Sequence, residues 1–440
     1  MTRAIRTLPG MGAFLGVLSA AGAALAQEAE AAAESGLDSG DVAWILTSSA
    51  IVLMMTIPGL ALFYGGLVRA KNVLSIFMLC FVTAALVSVT WVLWGYSIAF
   101  GPDVAGGFLG SPLAHLGLAG VSWEAGADET IPRQLFMVFQ LMFAIITPAL
   151  IVGAIAERMK FGAFLLFVLL WSTFIYAPLC HWVWGPDGWL LGLGALDFAG
   201  GTVVHISSGV SALVAALMLG PRRGFLKEPM PPHNVAFVVV GAALLWVGWF
   251  GFNAGSALAA NGVAVVAFVN TNTATGAAVL GWMCTEWLSR GKPTAVGAAT
   301  GAVAGLVAIT PAAGFVEPIS AIAIGAVAGF LCYQACNLKQ RLGYDDALDV
   351  VGVHGVGGTW GALATGLLAS AALSGGGGLA QLGKQAAGVL ATYVLCGAGT
   401  FLIISVLKAT VGLRVDEESE EMGLDLTQHA ESAYTHGGGS

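Results

Sequence analysis

The chain has 440 residues, of which 57% are hydrophobic and only 10% charged, with a formal net charge of −8. A soluble domain carries roughly 25% charged residues, so this composition excludes a soluble enzyme and a basic nucleic-acid binder. It fits an all-α integral membrane protein. Nearly uncharged stretches of about 18 residues or more follow one another, each enough for a spanning helix. No alternating barrel pattern is present, and the 62 glycines suit closely packed membrane helices.

In chain order, residues 1–26 have the form of a secretory signal peptide. Arg3 and Arg6 supply a positive region, and Met11 to Leu25 is a short apolar run. Ala24-Leu25-Ala26 is a small-x-small cleavage site ahead of an acidic stretch from Gln27 to Glu34. An uncleaved first span is the alternative. Eleven candidate spans follow, at about 41–67, 72–101, 132–156, 161–183, 199–220, 235–256, 262–288, 295–313, 318–338, 350–372 and 386–411. The six cysteines lie mostly within them, as small hydrophobes. A tail, 412–440, follows the membrane domain, 27–411.

Basic residues orient the spans. Arg69 and Lys71, Arg158 and Lys160, Arg222, Arg223 and Lys227, Arg290 and Lys292, Lys339 and Arg341, and Lys408 and Arg414 all follow odd-numbered spans. Beyond the signal peptide, only Arg133 and Lys384 fall elsewhere. The positive-inside rule then places the odd-span exits in the cytoplasm, with the N-terminus outside and the C-terminus inside. A cleaved signal predicts the same orientation.

Two histidines interrupt the apolar runs: His205 in the fifth span and His354 in the tenth. Each has an aspartate eight residues earlier, Asp197 and Asp346. An ionisable group inside a span is costly, so it marks a functional site by default. Eight helical residues rise about 12 Å, which brings both histidines close to the midplane from opposite faces. That is the expectation for an inverted repeat of spans 1–5 and 6–10, with a final helix added. Eight residues also turn the helix by about 80° net, so neither aspartate meets its own histidine. The aspartates are expected to cap helix ends or order loops.

An aromatic cluster gathers in the outer half. Phe139 and Phe143 lie one turn apart in span 3, Phe252 and Ser256 at the end of span 6, and Trp184 at the end of span 4. Each alone is explained as ordinary packing or an interfacial aromatic. Together, above a histidine pair, they suit a cation: an aromatic face binds a desolvated one by about 2 kcal/mol.

Six stretches carry a family resemblance: PGLALFYGGLVRAKN (58–72), FQLMFAIITPALIVGAIAERMKF (139–161), ALDFAGGTVVHI (195–206), WFGFNAGSALAAN (249–261), FVNTNTATGAAVLGW (268–282) and DVVGVHGVGG (349–358). The chain closely resembles bacterial Amt-type ammonium transporters of the Amt/Mep/Rh superfamily, from about residue 38 to 434. The resemblance implies a homotrimer in the bacterial inner membrane, each subunit with its own pore. It implies that Phe143, Trp184 and Ser256, with Phe139 nearby, recruit ammonium. Phe143 and Phe252 would form a phenyl gate, His205 and His354 a hydrogen-bonded pair lining the pore, and Asp197 would hold the recruitment region. One departure is Pro186-Asp187, where many relatives have glycines. A PII-type signal protein would dock on the cytoplasmic face. Glu417 to Glu421 by itself is expected to be a solvated charge run.

Ammonium and potassium have similar radii, so selectivity must use hydrogen bonding and a removable proton. The expected mechanism is deprotonation at the gate, then passage of ammonia past the histidines. Net charge movement is the working expectation. No cofactor or metal is expected. The alternatives are an ammonium sensor with little transport, and a haem or metal protein using the two histidines. The latter leaves the aromatic cluster unexplained. No nucleophile–base set or nucleotide loop suggests an enzyme.

Overall fold

A computed structural model describes residues 36–434. The expected signal peptide lies outside the described residues. Within them the fold is all-α, with only isolated β-bridges. The main helical segments are α1 (Ser39–Leu67), α2 (Ala70–Phe100), α3 (Arg133–Ile155), α4 (Phe161–Leu193, interrupted at 185–188), α5 (Gly201–Leu219) and α6 (Val235–Gly255). They continue with α7 (Gly262–Arg290), α8 (Ala295–Ile309), α9 (Pro318–Leu342), α10 (351–368) and α11 (Leu379–Thr410). Among the described residues nine of these are long and apolar enough to cross a membrane; α8 is a shorter apolar helix. The protein is therefore a multi-pass membrane protein.

Several boundaries differ from the sequence expectation. α8 ends at Ile309 rather than 313, because a run of turns begins at Thr310 and Pro311 has no amide to continue the ladder. α11 starts at Leu379 rather than 386, taking in Lys384. That lysine sits near the helix end, where a long side chain reaches past the apolar layer.

The two halves use the same neighbours. α1 packs on α3, α2 on α3 and α4, and α3 on α5. In the second half α6 packs on α8, α7 on α8 and α9, and α8 on α10. α5 and α10 cross at the centre, where Gly209 meets Gly355. A Cβ on Gly209 would lie 2.2 Å from the Gly355 amide nitrogen, so only glycine permits this approach.

The connections gather on two faces. One holds the basic loops. Glu157, buried between α3 and α4, accepts from the Arg69 amide at 2.7 Å, Arg69 Nε at 2.8 Å and Arg222 Nη1 at 3.3 Å. Arg222 also holds Asp345 through Nε and Nη2, both at 2.9 Å. Arg158 donates to the carbonyls of Ala156, Gly220 and Asp345. Burial pushes the Glu157 carboxyl up, but Arg222 and Arg69 outweigh it and hold it below its ordinary value.

The tail lies on this basic face. Two short helices, α12 (Glu417–Met422) and α13 (Leu424–His429), bind it. Asp425 accepts from the Leu74 and Ser75 amides at the start of α2, and Lys71 donates to the Glu420 and Glu421 carbonyls. This corrects the expectation of a fully solvated acidic run. Glu420 is buried, accepting from the Arg223 amide at 2.6 Å and from Arg414 Nη2 at 2.6 Å. One acidic face of α12 is turned to the basic loops, and the rest faces solvent. The opposite face of the molecule collects residues 36–41, 101–130, 185–200, 256–261 and 311–317.

Removing one partner of a buried ion pair strands the other and costs about 3–5 kcal/mol. Arg222→Ala, which strands the Asp345 carboxylate and leaves Glu157 with Arg69 alone, is expected to lower the thermal unfolding temperature of detergent-solubilised protein. An unchanged temperature counts against the network. The Glu157 contribution is present above the ordinary carboxylate range and is lost as pH falls through its depressed value. The gap between native and variant should therefore narrow in acid.

Candidate functional site: an aromatic cavity above a histidine pair

The site begins where three helix ends meet on the face opposite the basic loops. α3 passes through the core carrying Phe139 and Phe143, both fully buried. The end of α6 supplies Phe252 and Ser256, and the first part of α4 ends on Trp184. The Phe143 and Phe252 rings lie 4.3 Å apart between centroids, tilted by 39°. Trp184 meets Phe143 edge-on at 5.7 Å. Phe139 stands behind Phe143 at 5.1 Å, and Gly255 leaves room for it. Phe139 does not line the cavity described next; it braces a ring that does.

That cavity has a volume of about 200 Å³ and is lined by Phe143, Trp184, Ser256, Gln140, Phe100 and Phe136, among others. A wider vestibule of about 510 Å³ shares Phe100, Phe136 and Trp184 with it. Ser256 Oγ donates to the Phe252 carbonyl at 2.8 Å, so its remaining capacity is to accept. Gln140 was not singled out from the sequence. It lines the cavity and is nearly buried, and its Oε1 is enclosed without a partner. The signal was available: a lone glutamine within an apolar span.

Asp197 anchors the rim. Its carboxylate accepts from the amides of Gly200, Gly201 and Thr202 at 2.8, 2.6 and 2.8 Å, and from the Thr202 hydroxyl. Its own carbonyl accepts from Trp184 Nε1 at 2.9 Å. Asp197 is thus a helix cap whose backbone positions the tryptophan; both carboxylate oxygens are occupied. Burial pushes this carboxyl up despite its donors. Asp187, in the departure from the relatives' glycines, adopts φ of 58°. Aspartate tolerates that left-handed region, so the loop after Trp184 can keep a glycine-like turn.

Beneath the phenyl pair lies the second element. His205 and His354 sit in wide helical turns, Gly201–Ile206 and Val351–Val356, at the starts of α5 and α10. Their Nδ1 atoms are 3.2 Å apart, bridged by one hydrogen bond. Gly358 makes room beside His205: a Cβ there would lie 2.9 Å from the His205 Cβ. His205 is the histidine nearer the phenyl pair, stacked on Phe252 at 6.1 Å and on Trp249 at 5.4 Å. Asp346 Oδ2 accepts from the Val351 amide at 2.7 Å, capping α10 as Asp197 caps α5. Neither aspartate bonds to its histidine. Phe252, His205 and His354 line a cleft of about 10 Å³ with Leu60, Phe63, Ile146, Leu245 and Val303. Such a space holds about one water-sized molecule. In order from the vestibule come the polar-rimmed cavity, Phe143, Phe252, His205 and His354.

Residues 43–434 match the Ammonium Transporter Family. The chain belongs to this family. A relative from Bacillus subtilis (strain 168), named an ammonium transporter, is 51% identical, covering 90% of this chain and 98% of its own length. The solved structure of Mep2 from Saccharomyces cerevisiae is similar with a TM-score of 0.83 at 38% identity, covering 92% of this chain and 93% of that one. A solved sensor Amt protein gives a TM-score of 0.82 at 31% identity, covering 89% and 98%. The curated relatives are named for transport rather than catalysis.

Losing the acceptor of several buried amides costs about 1–3 kcal/mol. Asp197→Ala is expected to lower thermal stability by that amount and to weaken apparent ammonium affinity, because the backbone whose carbonyl holds Trp184 is no longer tied to the start of α5. Native affinity in this variant would contradict the positioning role.

Proposed function

We propose that the protein transports ammonium across the bacterial inner membrane, recruiting the cation outside and conducting ammonia. The observation that carries this reading is the Phe143–Phe252 pair. It separates an aromatic cavity bordered by the Ser256 hydroxyl from a one-molecule apolar cleft holding two hydrogen-bonded imidazoles. Above the pair, Trp184 and Phe143 offer rings, and Ser256 offers a hydroxyl oxygen to an N–H donor. An aromatic contact of this kind contributes about 2 kcal/mol when desolvated. Below it, an intact charge costs about 2.5–3.5 kcal/mol by insertion scales. Ammonium avoids that cost by leaving its proton above the gate, whereas potassium has none to leave. Phe143 and Phe252 gate the passage, and His205 and His354 replace hydrogen bonds that ammonia loses on leaving water. Asp197 holds the rim, and Phe139 braces Phe143.

In this reading α8 and α10 also cross, giving eleven spans as an inverted 5+5 repeat plus α11. The matching packing neighbours of the two halves support it. The basic face is cytoplasmic under the positive-inside rule, so residue 36 lies outside and the tail inside, after a cleaved signal peptide of residues 1–26. The assembly is a homotrimer with one pore per subunit. The docked tail, held by Lys71, Arg223 and Arg414, offers a surface for a PII-type signal protein that controls the inner exit. The released proton follows separately, relayed by the His205–His354 pair, so that net charge accompanies the nitrogen. The likeness to a sensor Amt protein keeps receptor function as the second reading.

The test is uptake and current together, in liposomes given an ammonium pulse. Native protein should show both. His205→Ala and His354→Ala should each lower uptake or admit potassium. Unchanged uptake and unchanged discrimination in both variants would remove the pair from the mechanism, and an electrically silent native protein would remove the charge movement. Native protein that binds ammonium without uptake would favour the sensor.

A further inference from the structure

We infer that Thr310 is a positioning residue that sets the tautomers of the histidine pair, leaving His354 Nε2 as the one free basic nitrogen of that pair. The Thr310 hydroxyl lies at the end of α8 and is fully buried. It has one proton, which it donates to the Leu306 carbonyl at 2.7 Å. That carbonyl needs it, because the Thr310 amide turns instead to the Val307 carbonyl. The Thr310 oxygen can therefore only accept. It accepts from Trp249 Nε1, which is always a donor, at 2.9 Å. Its second contact is His205 Nε2 at 3.3 Å. Facing an oxygen with no proton to give, His205 Nε2 must carry the hydrogen.

The rest follows along the pair. A neutral imidazole protonated on Nε2 is bare on Nδ1. His205 Nδ1 is then the acceptor of the 3.2 Å bond, and His354 Nδ1 is the donor. His354, protonated on Nδ1, is bare on Nε2. The gate-side histidine has no free lone pair, and the farther one has the only free lone pair. On the transport reading, on which this consequence rests, ammonia passing His205 finds no ring nitrogen to accept from it, and it first finds an acceptor at His354. A proton entering the pair would enter at His354 Nε2, beyond the apolar stretch rather than beside the gate.

The experiment is nitrogen-15 magnetic resonance of the full-length protein in bilayers at neutral pH, with histidine rings labelled. Signals are assigned by difference against His205→Gln and His354→Gln. Native protein is expected to show His205 protonated on Nε2 and His354 on Nδ1. Thr310→Val removes the acceptor, so a new His205 Nδ1–H signal should appear. Thr310→Ser should restore the native pattern, and Trp249→Phe should keep it, since the oxygen still accepts from His205. Native protein with His205 protonated on Nδ1, or a Thr310→Val spectrum identical to native, would overturn the inference. If Thr310→Val fails to fold, the native spectrum still decides. Native tautomers as stated in a protein that moves no ammonium would overturn the transport reading and leave this one standing.

Discussion

An ion that enters a narrow apolar passage loses its water and gains little in return, and the proposed transport depends on that cost. Two phenyl rings 4.3 Å apart stand between a cavity bordered by the Ser256 hydroxyl and a cleft almost without room. A size filter could not separate ammonium from potassium. A desolvation barrier can, when one ion is able to become neutral. On the proposed mechanism the aromatic cavity serves on the wet side of that barrier, and the imidazole pair on the dry side.

Keeping two imidazoles 3.2 Å apart on different helices requires the backbones to touch. Gly209 and Gly355 allow α5 and α10 to meet, and Gly358 clears space for His205. The helix starts are then secured by Asp197 and Asp346, each accepting backbone amides of its own helix. The Asp197 carbonyl carries the same restraint to Trp184. At the basic face, Glu157, Arg222 and Asp345 lock the loops, and the tail fastens to α2. Rim, phenyl rings and histidine pair are thus held from both ends.

Much of this was legible in the sequence because membranes impose strong local rules. Long apolar runs mark helices, since backbone groups in lipid must bond within their own segment. A histidine or aspartate in such a run stands out by its cost, and the eight-residue offset already kept Asp197 and Asp346 away from their histidines. What sequence does not carry is tertiary convergence. Thr310 lies in a run of small residues, and nothing local says that its oxygen meets Trp249 and His205. Gln140 carried a polar signal overshadowed by its phenylalanine neighbours. Glu420 looked solvated because charge runs usually are, and its burial depends on Arg223 and Arg414 from elsewhere in the chain. The sequence marked Asp197 as a helix-end residue, but not that both its oxygens would be taken up by amides and Thr202.

The central claim is that the barrier admits only what can shed its charge. The most direct measurement compares uptake of ammonium and of radiolabelled rubidium, a potassium mimic with no proton to lose, by the native protein in the same liposomes under equal gradients. The account predicts ammonium uptake well above protein-free liposomes and rubidium uptake indistinguishable from them. Rubidium entry at a rate comparable to ammonium would contradict it.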